Sequence, residues 1–128
     1  FRQQHPELKI KLVLGNHDRP LGTLPSSWQV DVVPMGEFAD GLAIGHEPES
    51  IPKDVALMLC GHLHPAVRLI SVVDRTNRLP CFWWHKKRLI LPAIGGFTGS
   101  STIKPKPTDG VWVIAEGKVI PYPRRKSK

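Results

Sequence analysis

Asn16 and His17 in Gly15-Asn16-His17-Asp18, His46 in Gly45-His46, and His62 and His64 in Gly61-His62-Leu63-His64-Pro65 are the residues whose types and order could do chemistry. Each motif closes a short apolar run, at 10–14, 42–44 and 55–60. Imidazole is a borderline donor suited to Zn, Fe, Mn or Ni, and an Asn carbonyl oxygen adds a harder one that favours Mn or Mg. Mixed nitrogen and oxygen ligation suits hydrolysis. His62 and His64 lie two apart, and on an extended backbone such residues leave the same side, so both rings can converge on one ion or on two adjacent ions. A lone His-x-His is equally an ordinary strand or turn pair. Three such motifs in a row, each behind a strand-like run, shift the balance toward a metal centre.

The elements that must position these motifs are short. Strand-forming runs separated by Pro and Gly predict strands at 8–14, 28–33, 42–44, 55–60, 67–73, 79–84, 88–91, 110–115 and 118–121, with Glu116-Gly117 as a hairpin turn. The unbroken apolar run at 55–60 reads as a strand buried on both faces. Helical signal is confined to 48–54 and the segment before Pro6, because eleven Gly and thirteen Pro leave no room for a long amphipathic helix. The pattern predicts a strand-rich α/β (α+β) fold: one sheet and most of a second from a β-sandwich flanked by helices, with the metal motifs on loops at strand ends. The Gly-rich stretch 94–101 lacks the Lys-Ser/Thr of a phosphate-cradling loop and reads as a tight turn near the site. At 128 residues the length predicts a single domain over 1–121, followed by a basic tail at 122–128.

Charge is divided unevenly. Residues 1–64 carry five Lys/Arg against eight Asp/Glu, and residues 65–128 carry thirteen against three. Lys86-Lys87-Arg88, Lys104 with Lys106, and the Arg124-Arg125-Lys126 tail could follow a nucleic-acid backbone; equally, they could only keep the protein soluble. No base-reading module is present, so any such contact should be directed at the backbone. Trp28, Trp83, Trp84 and Trp112 are either stacking platforms or core anchors, and core or partly buried positions are favoured. Cys60 and Cys81 each sit in an apolar run and read as buried free thiols in a reducing compartment. The apolar runs fall short of a membrane span of about 20 residues, so the expectation is a cytoplasmic protein with no membrane partner.

The three histidine motifs resemble those of the calcineurin-like metallophosphoesterase superfamily. The stretches Leu79-Pro80-Cys81-Phe82-Trp83, His46-Glu47-Pro48 and 91–99 resemble a narrower group, the ligase-associated DNA damage response endonucleases (PdeM-like). The resemblance runs from about Leu8 to Val119. It implies two divalent ions, with Mn2+ favoured and Mg2+, Fe2+ or Zn2+ as alternatives. Asn16, His46 and His62 would bind one ion and His64 the other. His17 would be the catalytic histidine, protonating or stabilising the leaving alkoxide, with Asp18 helping to position it. Asp18 also has the plainer reading of a turn or helix-cap residue. Arg19 could reach a substrate phosphate, although an arginine there is more often a solvated loop residue. The implied function is a metal-dependent phosphoesterase of the phosphodiesterase or nuclease type, acting on DNA in a repair context beside a DNA ligase and helicase. The alternatives are a phosphoesterase for small nucleotides or phosphomonoesters, and a non-catalytic nucleic-acid-binding relative. A Ser-His-Asp hydrolase is disfavoured, since no Gly-x-Ser-x-Gly elbow occurs.

The superfamily's Asp-x-His and its bridging aspartate lie N-terminal to the Gly-Asn-His-Asp loop, and none of the fourteen residues before Gly15 is Asp. Two dications close together repel strongly without anionic ligands. The expectation is therefore an N-terminally truncated metallophosphoesterase domain that holds at most one metal well and is weak or inactive by itself. Oligomeric state is not legible in these residues.

Overall fold

The structure is a computed structural model that describes residues 1–18, 22–33, 41–48, 51, 53–70, 76–96 and 98–123. Strands β1 (Ile10–Val13) and β2 (Val30–Val33) form a parallel pair in which Ile10 faces Val30 and Val13 faces Val33. The remaining strands build an eight-stranded mixed sheet: β3 (Leu42–Ile44), β4 (Leu57–Cys60), β5 (Pro65–Ile70), β6 (Thr76–His85), β7 (Arg88–Ile90), β8 (Ser101–Thr102), β9 (Gly110–Ala115) and β10 (Lys118–Pro121). Its main path runs β10-β9-β6-β7-β4-β3, with β5 pairing β6 and β8. Strand β4 lies between two parallel neighbours and buries Met58 and Cys60, as its apolar run predicts.

The long β6 organises the sheet by changing partners along its length. Residues 76–80 pair with β5, 81–84 with β9 and 83–85 with β7. Pro80, which has no N–H to donate, stands at the changeover. Two core clusters result. Ala43, Val55, Met58, Cys60 and Ile90 form one, and Val67, Cys81, Val111 and Val113 form the other; Trp83 packs against both. Both thiols are free and buried; burial pushes Cys60 up against the opposing pull of Arg88, and pushes Cys81 up to about 11. Trp83 and Trp84 are half-buried, whereas Trp28 is 54% exposed on a 3₁₀ turn, Ser26–Trp28, and is not a core anchor. Outward-facing Phe82, Trp84, Leu89, Trp112 and Val119 line an apolar groove of about 280 Å³.

Each predicted strand is present: 42–44, 110–115 and 118–121 have the expected bounds, those at 8–14, 28–33, 55–60 and 88–91 are trimmed, and that at 79–84 lengthens to Thr76–His85. The strand expected at 67–73 instead begins at Pro65, and residues 71–75 lie outside the described ones. Strand β8 was not legible, because two exposed residues carry no alternation. It is held by backbone bonds from Ser101 N–H to His64 O (2.9 Å) and from Ile103 N–H to Ala66 O (2.9 Å). The expected flanking helices do not occur among the described residues, which contain only 3₁₀ turns at Arg2–Gln4 and Ser26–Trp28. Part of 48–54 lies outside the described residues, and the rest of it is not helical. Among the described residues no helix is long and apolar enough to cross a membrane. The basic tail at 124–128 also lies outside them.

Candidate metal centre

The parallel strands β3 and β4 deliver His46 and His62 to one end of the sheet. Their ladder continues past the strand ends: Gly45 N–H donates to Leu59 O and Gly61 N–H to His46 O, both at 2.9 Å. The backbones of the two histidine loops are therefore fixed to each other. Gly15, just after β1, supplies the third side. A Cβ at Gly15 would lie 2.7 Å from the Cε1 of His46, so only glycine lets the imidazole sit against this backbone.

Around that imidazole three donor atoms meet. His46 Nε2 lies 2.8 Å from Asn16 Oδ1 and 3.1 Å from His62 Nδ1, with the two rings edge-on at 73°. One proton on His46 Nε2 can be given to Asn16 Oδ1 or to His62 Nδ1, and a cation shared by the three atoms is the alternative to that hydrogen bond. For ligand bonds of about 2.1 Å, neighbouring donors in an octahedral shell are about 3.0 Å apart, and the two separations here bracket that value. His46 Nε2 thus stands from each of its two neighbours at the spacing of adjacent donors on a small divalent ion. Among the described residues no three His, Cys, Asp or Glu side chains gather as a metal group; the third donor here is an amide.

His62 and His64 depart from the extended geometry read from their spacing. Both have positive φ, 63° and 45°, and Leu63 N–H turns back to Gly61 O at 2.7 Å. The rings consequently diverge: His62 faces His46, and His64 Nδ1 donates to Thr98 O at 2.7 Å. Left-handed backbone at non-glycine residues costs about 1–3 kcal/mol each and collects at functional sites. Since a carbonyl only accepts, Nδ1 of His64 must carry the proton, and in the neutral ring Nε2 keeps its lone pair for a ligand. Among the described residues no hydrogen bond joins His64 to the Asn16–His46–His62 group.

His17 is exposed at the tip of the turn that carries Asn16. Asp18 Oδ2 accepts Gly15 N–H at 2.8 Å, and Asp18 N–H donates to Gly15 O at 3.1 Å, so the carboxylate closes the 15–18 turn on itself. That contact belongs to the turn reading of Asp18; no bond from Asp18 to His17 occurs among the described residues. Arg19 lies outside them. One acid escaped the sequence reading: Glu47 Oε1 is 4.0 Å from His62 Nε2, on the side of the ring away from His46. At that distance the carboxylate makes no hydrogen bond to the ring but puts an anionic group beside the histidine pair. Its place next to His46 in the chain was the available signal.

The same fold has been seen in a nuclease. The crystal structure of Pseudomonas putida nuclease MPE superimposes with a TM-score of 0.75 and is 34% identical, over 94% of this chain and 57% of that one. The chain thus spans little more than half of that nuclease's length. No protein-family model matches the chain, and no curated protein matches it. The strand-rich α/β architecture is accordingly shared with a known nuclease.

Proposed function

We propose that the protein is a divalent-metal-dependent hydrolase of phosphodiesters, of the nuclease type, with DNA as its substrate. The observation that carries this reading is the convergence of Asn16 Oδ1, His46 Nε2 and His62 Nδ1 about one point. The likeness to a solved nuclease supports the same reaction class. Asn16, His46 and His62 would hold one ion, and His64 Nε2 would face a second. Divalent ions in such a site, Mn2+ above all, supply Lewis-acid polarisation of a phosphate and acidify a water.

The chain's own residues do the rest. The Thr98 carbonyl fixes which nitrogen of His64 is offered, so that donor atom is oriented before any ligand arrives. Exposed His17, one residue beyond Asn16, would donate a proton to a leaving oxygen, and Asp18 keeps its turn closed. A cytoplasmic repair role beside a ligase and helicase rests on the motif resemblance.

The test is hydrolysis of an aryl phosphodiester and of single-stranded and duplex DNA, with Mn2+ titrated in. His17→Ala should slow turnover by about 10²–10⁴-fold while Mn2+ affinity, read by calorimetry, stays the same. Turnover without added metal, or an unaffected His17→Ala enzyme, would refute the assignment. Preference for the aryl diester over DNA would favour a small-molecule phosphoesterase. DNA binding indifferent to chelator, without any cleavage, would favour a non-catalytic binder.

A further inference from the structure

A cleft of about 170 Å³ opens beside His64, on the outer face of β5 and β6. Its walls include His64, Arg78, Pro80, Thr98 and Ser100. The 95–99 loop is braced there: Thr98 Oγ1 donates to Gly95 O at 2.6 Å, and the Thr98 carbonyl accepts from His64 at 2.7 Å. The cleft wall and the candidate ligand His64 therefore hold a set position relative to one another. This space amounts to several water volumes of about 30 Å³ each and takes a phosphodiester unit.

Arg78 does not stand alone. In the β5–β6 ladder it is directly opposite Arg68, and directly opposed residues of an antiparallel pair project from the same face. Both are exposed, and neither has a carboxylate at ion-pair distance among the described residues. Like charges placed opposite one another destabilise a sheet, and among the described residues no ion-pair partner offsets the cost. An external anion would. Strand β5 starts immediately after His64, so the line from His64 through Arg78 to Arg68 leads outward from the candidate centre. The lysines singled out by the sequence do not share this position. Lys86 and Lys87 form the β6–β7 turn, where Lys87 O accepts Met58 N–H at the start of β4, the end of the sheet opposite the His62 loop.

We propose that Arg78 and Arg68, with the cleft beside His64, form a track for the phosphodiester backbone that flanks the bond being cut. The inference rests on the hydrolase reading above and extends it to a polymeric substrate held by at least two phosphates. A guanidinium presents a fork of N–H donors matched to phosphate oxygens, so Arg78 would take the nearer phosphate and Arg68 the next.

The experiment is fluorescence-anisotropy binding of a DNA and an RNA oligonucleotide across a salt series, with chelator present so that neither is cut. Each phosphate contact contributes about 0.7–0.9 to the slope of log affinity against log salt. The Arg68→Ala/Arg78→Ala protein should bind about tenfold more weakly, with a slope shallower by about 1.4–1.8 on one or both oligonucleotides. Arg78→Ala alone should give about half that change in slope. Arg68→Lys/Arg78→Lys should keep the slope, and Lys86→Ala/Lys87→Ala should leave it untouched. An unchanged slope in the double alanine protein overturns the track, as does an equal loss in Lys86→Ala/Lys87→Ala. Failure of the unsubstituted protein to hydrolyse any diester counts against the metal-hydrolase reading instead, and the slopes decide the track regardless.

Discussion

At the scale of single residues the site depends on side chains that are small or oriented as much as on those that donate. Gly15 shows this best, because the His46 imidazole occupies the volume a side chain would fill. Overpacking of that kind costs about 1–3 kcal/mol or moves the ring. Gly15→Ala is therefore expected to tilt His46 away from Asn16 and His62 and to weaken Mn2+ binding by at least about tenfold. Calorimetric titration of Mn2+, with circular dichroism to verify the fold, checks this. Of the four candidate donors picked out from motifs that follow apolar runs, the structure brings Asn16, His46 and His62 together and turns His64 to Thr98. The carbonyl of Thr98 was not legible, since its hold on a ring nitrogen exists only through space.

Among the elements, the hairpins separate what local chemistry specifies from what neighbours impose. Both two-residue turns have positive φ at both positions: 51° and 70° for Glu116 and Gly117, 46° and 64° for Lys86 and Lys87. Glu116-Gly117 was readable as a turn because glycine accepts this conformation. Lys86-Lys87 lacks glycine and is held by the pairing of His85 with Arg88 and by the bond from Met58 N–H to Lys87 O. Replacing Lys87 by Gly should relieve a left-handed side chain, a gain of about 1 kcal/mol on folding. Urea denaturation of Lys87→Gly against the parent checks it, and a loss of stability would mean that the lysine side chain contributes more than its backbone costs.

For the whole molecule, the joint between the two core clusters is polar at one corner. Asp109 is 4% exposed and accepts from Trp83 Nε1 (3.0 Å), His85 Nδ1 (2.8 Å) and Lys106 N–H (2.9 Å). It ties the 106–109 turn to β6 at Trp83, the residue that both clusters share. Burial by itself would raise its pKa, but the bonds from Lys106, His85 and Trp83 and the charge of His85 together outweigh burial and lower it. A lowered folded-state pKa means stabilisation that is present above the ordinary value of 3.8 and is lost as pH falls through the lower folded-state value. Asp109→Asn should cost about 1–3 kcal/mol near neutral pH, and the gap from the parent should close in acid. Denaturant titrations from about pH 7 to about pH 2 measure that gap, and a constant difference would show that the carboxylate charge is not what holds the corner.

What the amino-acid order determined by itself was local: strands where β-formers alternate or run together, only short 3₁₀ turns among the described residues of a chain rich in Pro and Gly, and ligand-type residues placed just beyond strand ends. These follow from backbone preference and burial within a few neighbours, so they need no distant partner. Tertiary structure alone decided which donors meet. His62 and His64 are neighbours in sequence yet part company, because left-handed backbone at both turns one ring to His46 and the other to Thr98. Arg68 and Arg78 were not singled out by the sequence, and strand register sets them face to face, while the more conspicuous Lys86 and Lys87 went to the far end of the sheet. Register and loop closure are settled by contacts between residues remote in the chain, and no local pattern encodes them.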